Sequence, residues 1–128
     1  GPRRCILVAD DVAANRLMLS EMLRHLGFDV QEAADGQAAL DSIRRAPPDL
    51  VLMDVRMPVL AGLQATARLR EDPAMQMLPV IAVSANASLD DQQRCKAAGA
   101  DAFLAKPVDR GQLIGLLTQT LQLRWRSA

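Results

Sequence analysis

The 128-residue chain lacks the features that mark several broad classes of protein. Fifteen Lys and Arg residues balance fifteen Asp and Glu residues, so the chain has none of the net positive charge that most nucleic-acid-binding domains use. No apolar stretch approaches the roughly 18 residues that a membrane-spanning helix requires, and the N-terminus does not have the pattern of a signal peptide. We therefore expect a cytoplasmic domain that contacts neither nucleic acid nor a membrane directly.

Cysteine is also scarce, with only Cys5 and Cys95 in the chain. Their spacing matches neither CxxC nor another metal-binding pattern, so we expect two reduced thiols. The chain begins with Gly1-Pro2 where a methionine would initiate translation, and this dipeptide resembles the scar of a protease site. We expect residues 1–2 to derive from cloning and the remainder to be a segment of a longer protein.

Five short apolar runs alternate with helical patterns along the chain. The runs lie at residues 5–9, 28–33, 50–53, 79–83 and 102–105. Most are continuous, as in strands that are buried on both faces of a parallel sheet, whereas the second is more polar and predicts an edge strand. The alternation predicts an α/β fold with a parallel sheet and helices on both faces. We expect one domain to fill residues 1–128.

The fourth helical segment, residues 88–98, has a weaker pattern than the first and last helices. Ser88 is a suitable N-cap, but the apolar face consists only of Leu89, Ala97 and Ala98. A helix with so few apolar anchors is expected to be held loosely.

Polar side chains stand where the predicted strands end. Asp10 and Asp11 follow the first strand, Asp54 ends the third, Ser84 ends the fourth, and Lys106 follows the fifth. Ligands of open α/β sheets bind at this edge. Clustered carboxylates repel one another unless a cation such as Mg²⁺ neutralises them, and a carboxylate can accept a phosphoryl group as a nucleophile. The pattern therefore predicts magnesium-dependent phosphorylation of an aspartate, because phosphoryl transfer needs mainly positioning and charge neutralisation.

Six short motifs follow one another in a fixed order between Arg4 and Leu123. They are Val8-Ala9-Asp10-Asp11, residues 53–58 (MDVRMP), Gly62, Ser84-Ala85, Gly99-Ala100 and residues 103–107 (FLAKP). In this combination they resemble the receiver domain of two-component response regulators. The resemblance implies a flavodoxin-like, doubly wound (βα)5 fold with strand order 2-1-3-4-5, whose core is residues 4–123.

The resemblance also implies a role for each polar residue at the edge of the sheet. Asp54 would be the phosphoacceptor, and Lys106 would contact the phosphoryl oxygen. Asp10, Asp11 and Asp54 would hold Mg²⁺ or Mn²⁺, together with the backbone carbonyl of Arg56.

Further roles implied by the resemblance concern switching and lifetime. Ser84 would be the switch hydroxyl that moves toward the phosphoryl group, and Phe103 the switch aromatic that turns inward with it. Arg56 and Asn86 would tune the lifetime of the phosphorylated state. A cis Lys106-Pro107 bond is also typical of such domains.

Three finer motifs are similar to receivers that are fused to hybrid sensor histidine kinases. They are Asn15-Arg16, Gln64-Ala65-Thr66 and residues 84–87 (SANA). This similarity implies a histidine kinase or a histidine phosphotransfer domain as partner, and an origin in the cytosolic portion of a membrane-bound sensor kinase. We expect a monomeric phosphoacceptor that assists its own phosphorylation and dephosphorylation, and not an enzyme.

Alternative functions meet specific obstacles in the sequence. A phosphohydrolase with an aspartyl nucleophile would need a second Asp where Arg56 stands. A flavin- or nucleotide-binding domain would need a phosphate-binding loop after the first strand, where Asp10-Asp11 would repel phosphate. A stand-alone response regulator and a docking-only domain that is not phosphorylated both stay open.

Overall fold

Five strands alternate with five helices in the computed structural model, which describes residues 4–57, 61–86 and 88–127, with side chains to residue 121. The strands are β1 (Cys5–Ala9), β2 (Asp29–Ala33), β3 (Leu50–Asp54), β4 (Val80–Ser84) and β5 (Ala102–Ala105). The helices are α1 (Ala13–His25), α2 (Gly36–Arg45), α3 (Gly62–Glu71), α4 (Leu89–Ala98) and α5 (Arg110–Ser127). A 3₁₀ turn covers Pro73–Met75. Residues 1–2 and the motif members Pro58 and Ala87 lie outside the described residues.

The strands form one parallel sheet in the order β2-β1-β3-β4-β5. This arrangement confirms the predicted fold class, the strand order and the edge position of the second strand. Parallel pairing brings the carboxyl ends of all the strands to one edge of the sheet. Within the described part of the chain, no helix is both long enough and apolar enough to cross a membrane.

Successive residues of the central strands are buried on opposite faces of the sheet. Leu7 and Ala9 of β1 pack with apolar residues of α2 and α3, whereas Ile6 and Val8 pack with those of α1 and α5. Because side chains alternate along a strand, an uninterrupted apolar run contributes side chains to the cores on both faces of the sheet. The continuous runs of the sequence thus place helices on both faces.

The apolar face predicted for α4 is wrong, although the helix and its N-cap are confirmed. The Ser88 hydroxyl accepts a hydrogen bond from the Asp91 N–H at 3.2 Å. Leu89, however, is 74% exposed, and the buried side chain of α4 is Cys95. The two residues are six positions apart, so they point about 120° apart around an α-helix, and the helix does not bury both side chains against β5.

Cys5 and Cys95 are both free thiols, as expected.

The side chain of Arg70, at the end of α3, joins several segments at the amino edge of the sheet. Its guanidinium donates to the carbonyls of Met75, Leu78 and Gly99 at 3.0, 2.8 and 2.9 Å. It also forms an ion pair with Asp101 at 2.9 Å. Gly99 ends α4 with a left-handed φ of 110°, so this one side chain holds the end of α4 and the start of β5 against α3.

We expect Arg70→Leu to lower the free energy of unfolding by about 2–4 kcal/mol, because three backbone carbonyls lose a charged donor. The matched control is Arg94→Leu, whose side chain is largely exposed and, among the residues that the structure describes, forms its ion pair with Asp91 on the same helix. The control should change stability by less than about 0.5 kcal/mol. Urea unfolding followed by circular dichroism measures both variants, and equal losses would contradict the structural role of Arg70.

Candidate functional site

Four neighbouring strands bring the predicted polar residues to the carboxyl edge of the sheet. Asp10 and Asp11 come directly after β1, and Asp54 is the last residue of β3. Ser84 is the last residue of β4, and Lys106 comes directly after β5. The residues lie up to 96 positions apart in the chain and meet only because the strands pair in parallel.

The three carboxylates form a compact cluster. One carboxylate oxygen from each of Asp10, Asp11 and Asp54 lies within 4.8 Å of the others. Asp10 and Asp54 are only 1% and 4% exposed, whereas Asp11 is exposed. The cluster is therefore buried on one side and open to solvent on the side of Asp11.

The Lys106 ammonium forms ion pairs with both buried carboxylates, those of Asp10 and Asp54. The Nζ atom of Lys106 lies 3.1 Å from Asp54 Oδ2 and 3.3 Å from Asp10 Oδ2. Burial raises the pKa of Asp54 and the charge of Asp10 adds to this, although the N–H of Arg56 and the Lys106 ammonium oppose the rise. Burial would lower the pKa of Lys106, but its hydrogen bond to Asp54 and the two negative charges together raise it. The cluster is thus short of positive charge.

The donor set fits a hard divalent cation. Asp10 Oδ1 accepts the Val12 N–H at 2.9 Å, and Asp54 Oδ1 accepts the Arg56 N–H at 3.1 Å. Asp10 Oδ2 is buried and accepts no hydrogen bond from the described residues, although the Lys106 ammonium is close. An orphaned buried carboxylate oxygen beside two further carboxylates calls for a cation, and oxygen ligands of this kind suit Mg²⁺.

Ser84 and Phe103 lie on adjacent strands but in different surroundings. The Ser84 hydroxyl is buried and accepts the Asn86 N–H at 3.1 Å, while the Ser84 carbonyl accepts the Lys106 N–H at 2.9 Å. Phe103 is half-buried and lines a cavity of about 300 Å³ between α4 and β5, together with Cys95. Ser84 therefore belongs to the edge that carries the acids, and Phe103 faces α4.

The two residues predicted to tune lifetime are present beside the site. Arg56 and Asn86 are both exposed, and each donates its main-chain N–H to a site residue two positions earlier. Their backbone contacts are thus visible, whereas the metal-binding carbonyl of Arg56 and the tuning roles stay predictions. The Lys106-Pro107 bond is cis, as the resemblance implied.

Gly62, the first residue of α3, makes a close approach that the site requires. Its N–H donates to the Val55 carbonyl at 3.1 Å. A Cβ atom at this position would overlap the main-chain carbonyl of Asp54 and press on the Met53 side chain. Glycine therefore lets α3 begin directly against the end of β3, where Asp54 stands.

Sequence reasoning missed one contact of the acidic pair. The Arg16 guanidinium donates to the main-chain carbonyl of Asp10 at 2.7 Å and forms an ion pair with Glu32 at 3.3 Å. The sequence drew attention to Arg16 only through the similarity of Asn15-Arg16 to other receivers. No local signal marks Glu32, since the pair forms only when α1 packs beside β2.

Residues 6–118 match the family described as the response regulator receiver domain. The chain belongs to this family. It is 41% identical over 118 residues to the sensor histidine kinase RcsC of Escherichia coli, covering 92% of this chain but 12% of RcsC. It is 31% identical over 105 residues to the polar-differentiation response regulator DivK of Brucella anthropi, covering 82% of this chain and 85% of DivK. The chain thus spans only about an eighth of its sensor-kinase relative.

Solved structures support the same assignment. The receiver domain of sensor histidine kinase PA1611 from Pseudomonas aeruginosa, whose structure has a magnesium ion coordinated in the active site cleft, superposes with a TM-score of 0.88. It is 37% identical, and the match covers 94% of this chain and 99% of that one. The chemotaxis protein CheY4 of Vibrio cholerae gives a TM-score of 0.87 at 30% identity, covering 93% and 99%. The predicted receiver family and its similarity to sensor-kinase receivers are confirmed.

Removal of one charge from the acidic cluster should stabilise the metal-free domain. The raised pKa means that folded Asp54 holds its proton more tightly than unfolded Asp54, so stability falls as the pH rises through the interval between the two values. At neutral pH the ionised carboxylate is therefore a net cost. We expect Asp54→Asn to have a higher thermal midpoint than the wild type at pH 7 in EDTA.

Differential scanning fluorimetry measures this midpoint. The control is Asp41→Asn on the exposed face of α2, which should change stability by less than about 0.5 kcal/mol. Mg²⁺ at 100 times its Kd should stabilise the wild type by about 2.7 kcal/mol and Asp54→Asn by less. A lower midpoint for Asp54→Asn in EDTA would contradict the charge argument.

Proposed function

We propose that the chain is a phosphoryl-accepting receiver domain, formed by residues 4–123, in which Asp54 accepts a phosphoryl group from a phosphohistidine. The observation that supports this proposal most strongly is the buried carboxylate of Asp54, which lies 3.1 Å from the Lys106 ammonium and beside two further carboxylates. This arrangement has a nucleophile, a fixed cation and a set of ligands for a divalent metal in one place.

In the proposed step, a carboxylate oxygen of Asp54 forms a bond to phosphorus as the bond from phosphorus to the histidine nitrogen breaks. The imidazole leaves as a neutral ring once that nitrogen or its neighbour holds a proton. The Lys106 ammonium offsets the charge on the phosphoryl oxygens, and the Ser84 hydroxyl donates to one of them after a short movement. Mg²⁺ or Mn²⁺ would supply further positive charge, held by Asp10, Asp11, Asp54 and the Arg56 carbonyl.

The new charge at Asp54 would bias a mobile element of the fold. Ser84 turns toward the phosphoryl group, and Phe103 moves into the space that this opens. α4 follows because Cys95 is its one buried side chain among the described residues. Arg56 and Asn86 border the path of attacking water and set the lifetime of the acyl phosphate. The domain is thus a signalling switch that assists its own phosphorylation and dephosphorylation, without a separate substrate to turn over.

The parent protein that fits these observations best is a hybrid sensor histidine kinase in the cytosol or at the cytosolic side of a membrane. The similarity to RcsC, of which this chain matches a small part, supports that origin. The similarity to DivK, most of whose length is matched, favours a stand-alone response regulator as the second candidate. In either case the donor is a histidine kinase or a histidine phosphotransfer domain, and we expect the isolated domain to be monomeric.

The α1 surface beside the acidic pair is a suitable docking surface for that donor. Val12, Leu17 and Met18 are 47%, 52% and 43% exposed, which is unusual for apolar side chains so close together. Val12 directly follows Asp11, and Met18 lines a cavity together with Asp10, so a partner that covers this part of α1 brings its histidine close to Asp54. We propose that the helix that carries the donor histidine packs on this surface.

The first experiment measures the intact mass of the domain after incubation with Mg²⁺ and acetyl phosphate. We expect the wild type to gain one phosphoryl group, and we expect no gain for Asp54→Asn or for the wild type in EDTA. Asp41→Asn, which lies on α2 away from the site, should be phosphorylated like the wild type. A lack of phosphorylation both by acetyl phosphate and by a phosphorylated histidine phosphotransfer domain would overturn the proposal in favour of a docking-only domain.

The second experiment compares Leu17→Gln with Met77→Gln. Met77 is 83% exposed but lies at the opposite edge of the sheet, before β4. We expect Leu17→Gln to slow transfer from a phosphorylated histidine phosphotransfer domain about 10-fold, or roughly 1.4 kcal/mol, and Met77→Gln to have no effect. Rapid-quench kinetics with both donors measures the rates. An equal loss with acetyl phosphate would show that Leu17 acts on the site and not on docking.

A further inference from the structure

Arg16 ties the acidic turn after β1 to the neighbouring edge strand. Its Nη1 atom donates to the main-chain carbonyl of Asp10 at 2.7 Å, and its Nε atom lies 3.3 Å from the Glu32 carboxylate on β2. The Arg16 side chain is mostly buried. The next residue of β2, Ala33, accepts the Asp10 N–H through its own carbonyl at 3.0 Å. Both polar groups of the Asp10 backbone are therefore held by or through β2.

The bond to the Asp10 carbonyl has a specific geometric consequence. That carbonyl belongs to the peptide unit that joins Asp10 to Asp11, so its orientation sets where both carboxylates point. On the other side, the Val12 N–H holds Asp10 Oδ1 at 2.9 Å. A hydrogen bond from a charged guanidinium is among the stronger ones in proteins, and Glu32 keeps the guanidinium in place. The Asp10 carboxylate and the peptide unit that joins it to Asp11 are thus fixed before any cation binds.

Rigidity of this kind matters more for Mg²⁺ than for Ca²⁺. Mg²⁺ requires near-ideal octahedral geometry at short distances, whereas Ca²⁺ accepts six to eight oxygen ligands in flexible arrangements. We propose that Arg16, anchored by Glu32, is a positioning residue that makes the acidic pair selective for Mg²⁺ over Ca²⁺. This inference rests on the proposed function, since it assigns a metal preference to the same site.

The ratio of the two affinities separates positioning from charge. Removal of the Arg16 charge changes the electrostatic potential at the cluster, but Mg²⁺ and Ca²⁺ carry the same charge and respond to that change alike. Loss of a fixed geometry penalises Mg²⁺ more. Arg24 provides the control, because it contacts Glu32 at 3.5 Å from the solvent side without contacting Asp10 among the described hydrogen bonds.

The test is isothermal titration calorimetry of the wild type and three variants with Mg²⁺ alone and with Ca²⁺ alone. For Arg16→Gln we expect Mg²⁺ affinity to fall about 10-fold or more, as for other residues that orient metal ligands. We expect Ca²⁺ affinity to fall by a smaller factor, so that the ratio of Mg²⁺ affinity to Ca²⁺ affinity decreases several-fold. Glu32→Gln should lower the ratio of Mg²⁺ affinity to Ca²⁺ affinity by a smaller factor. In this variant Arg16 still donates to the Asp10 carbonyl and loses only its ion pair with Glu32. Arg24→Gln should leave the ratio unchanged. Thermal midpoints in EDTA check that each variant is folded.

Three outcomes would overturn the inference, and they differ in what they say about function. An unchanged ratio in both Arg16→Gln and Glu32→Gln, with Mg²⁺ bound by the wild type, overturns the positioning role and leaves the receiver function intact. A drop in Arg24→Gln as large as that in Arg16→Gln shows a general charge effect. A wild type that binds no Mg²⁺ overturns this inference and the metal dependence of the proposed function together.

Discussion

The candidate site depends on one electrostatic constraint, which is that two buried carboxylates share the Lys106 ammonium at the edge of a parallel sheet, with a third carboxylate beside them. Asp10 and Asp54 are buried and lie 3.3 and 3.1 Å from the Lys106 ammonium, while Asp11 extends the cluster to solvent. Burial disfavours the ionised state of Asp54 and raises its pKa, and the nearby charge of Asp10 adds to this. The electrostatic energy of the carboxylate cluster is therefore unfavourable by itself, and binding of a cation makes it favourable.

Two apolar cores, one on each face of the sheet, stabilise the scaffold that holds this site. Alternate residues of the central strands fill two apolar cores, and burial of each large aliphatic side chain contributes about 1.5–3 kcal/mol. Gly62 allows α3 to begin against the end of β3, so the backbone of Asp54 cannot move toward that helix. The N–H groups of Val12 and Arg56 each hold one oxygen of a carboxylate. The sheet supplies the stability, and the loops supply the orientation of the charges.

The two ends of α4 are held very differently. Its C-terminal end meets Arg70, which bonds Gly99 and pairs with Asp101 at the amino edge of the sheet. Its N-terminal end lies near the acidic cluster, begins at a serine cap, and leaves Leu89 exposed. Displacement of α4 is therefore easier at the end that lies nearer Asp54. This asymmetry gives a physical route from a charge at Asp54 to the surface that α4 presents.

Sequence alone determined the fold class, the parallel sheet and the positions of Asp10, Asp54, Ser84 and Lys106 at strand ends, because continuous apolar runs and their polar termini are local features. It could not determine which face α4 buries, since Leu89 and Cys95 compete and only the contact with β5 decides. Nor could it reveal the Arg16–Glu32 and Arg70–Asp101 pairs, whose members lie on different elements. Those pairs exist because α1 packs beside β2 and because the end of α3 meets the start of β5, and both contacts are properties of the assembled fold.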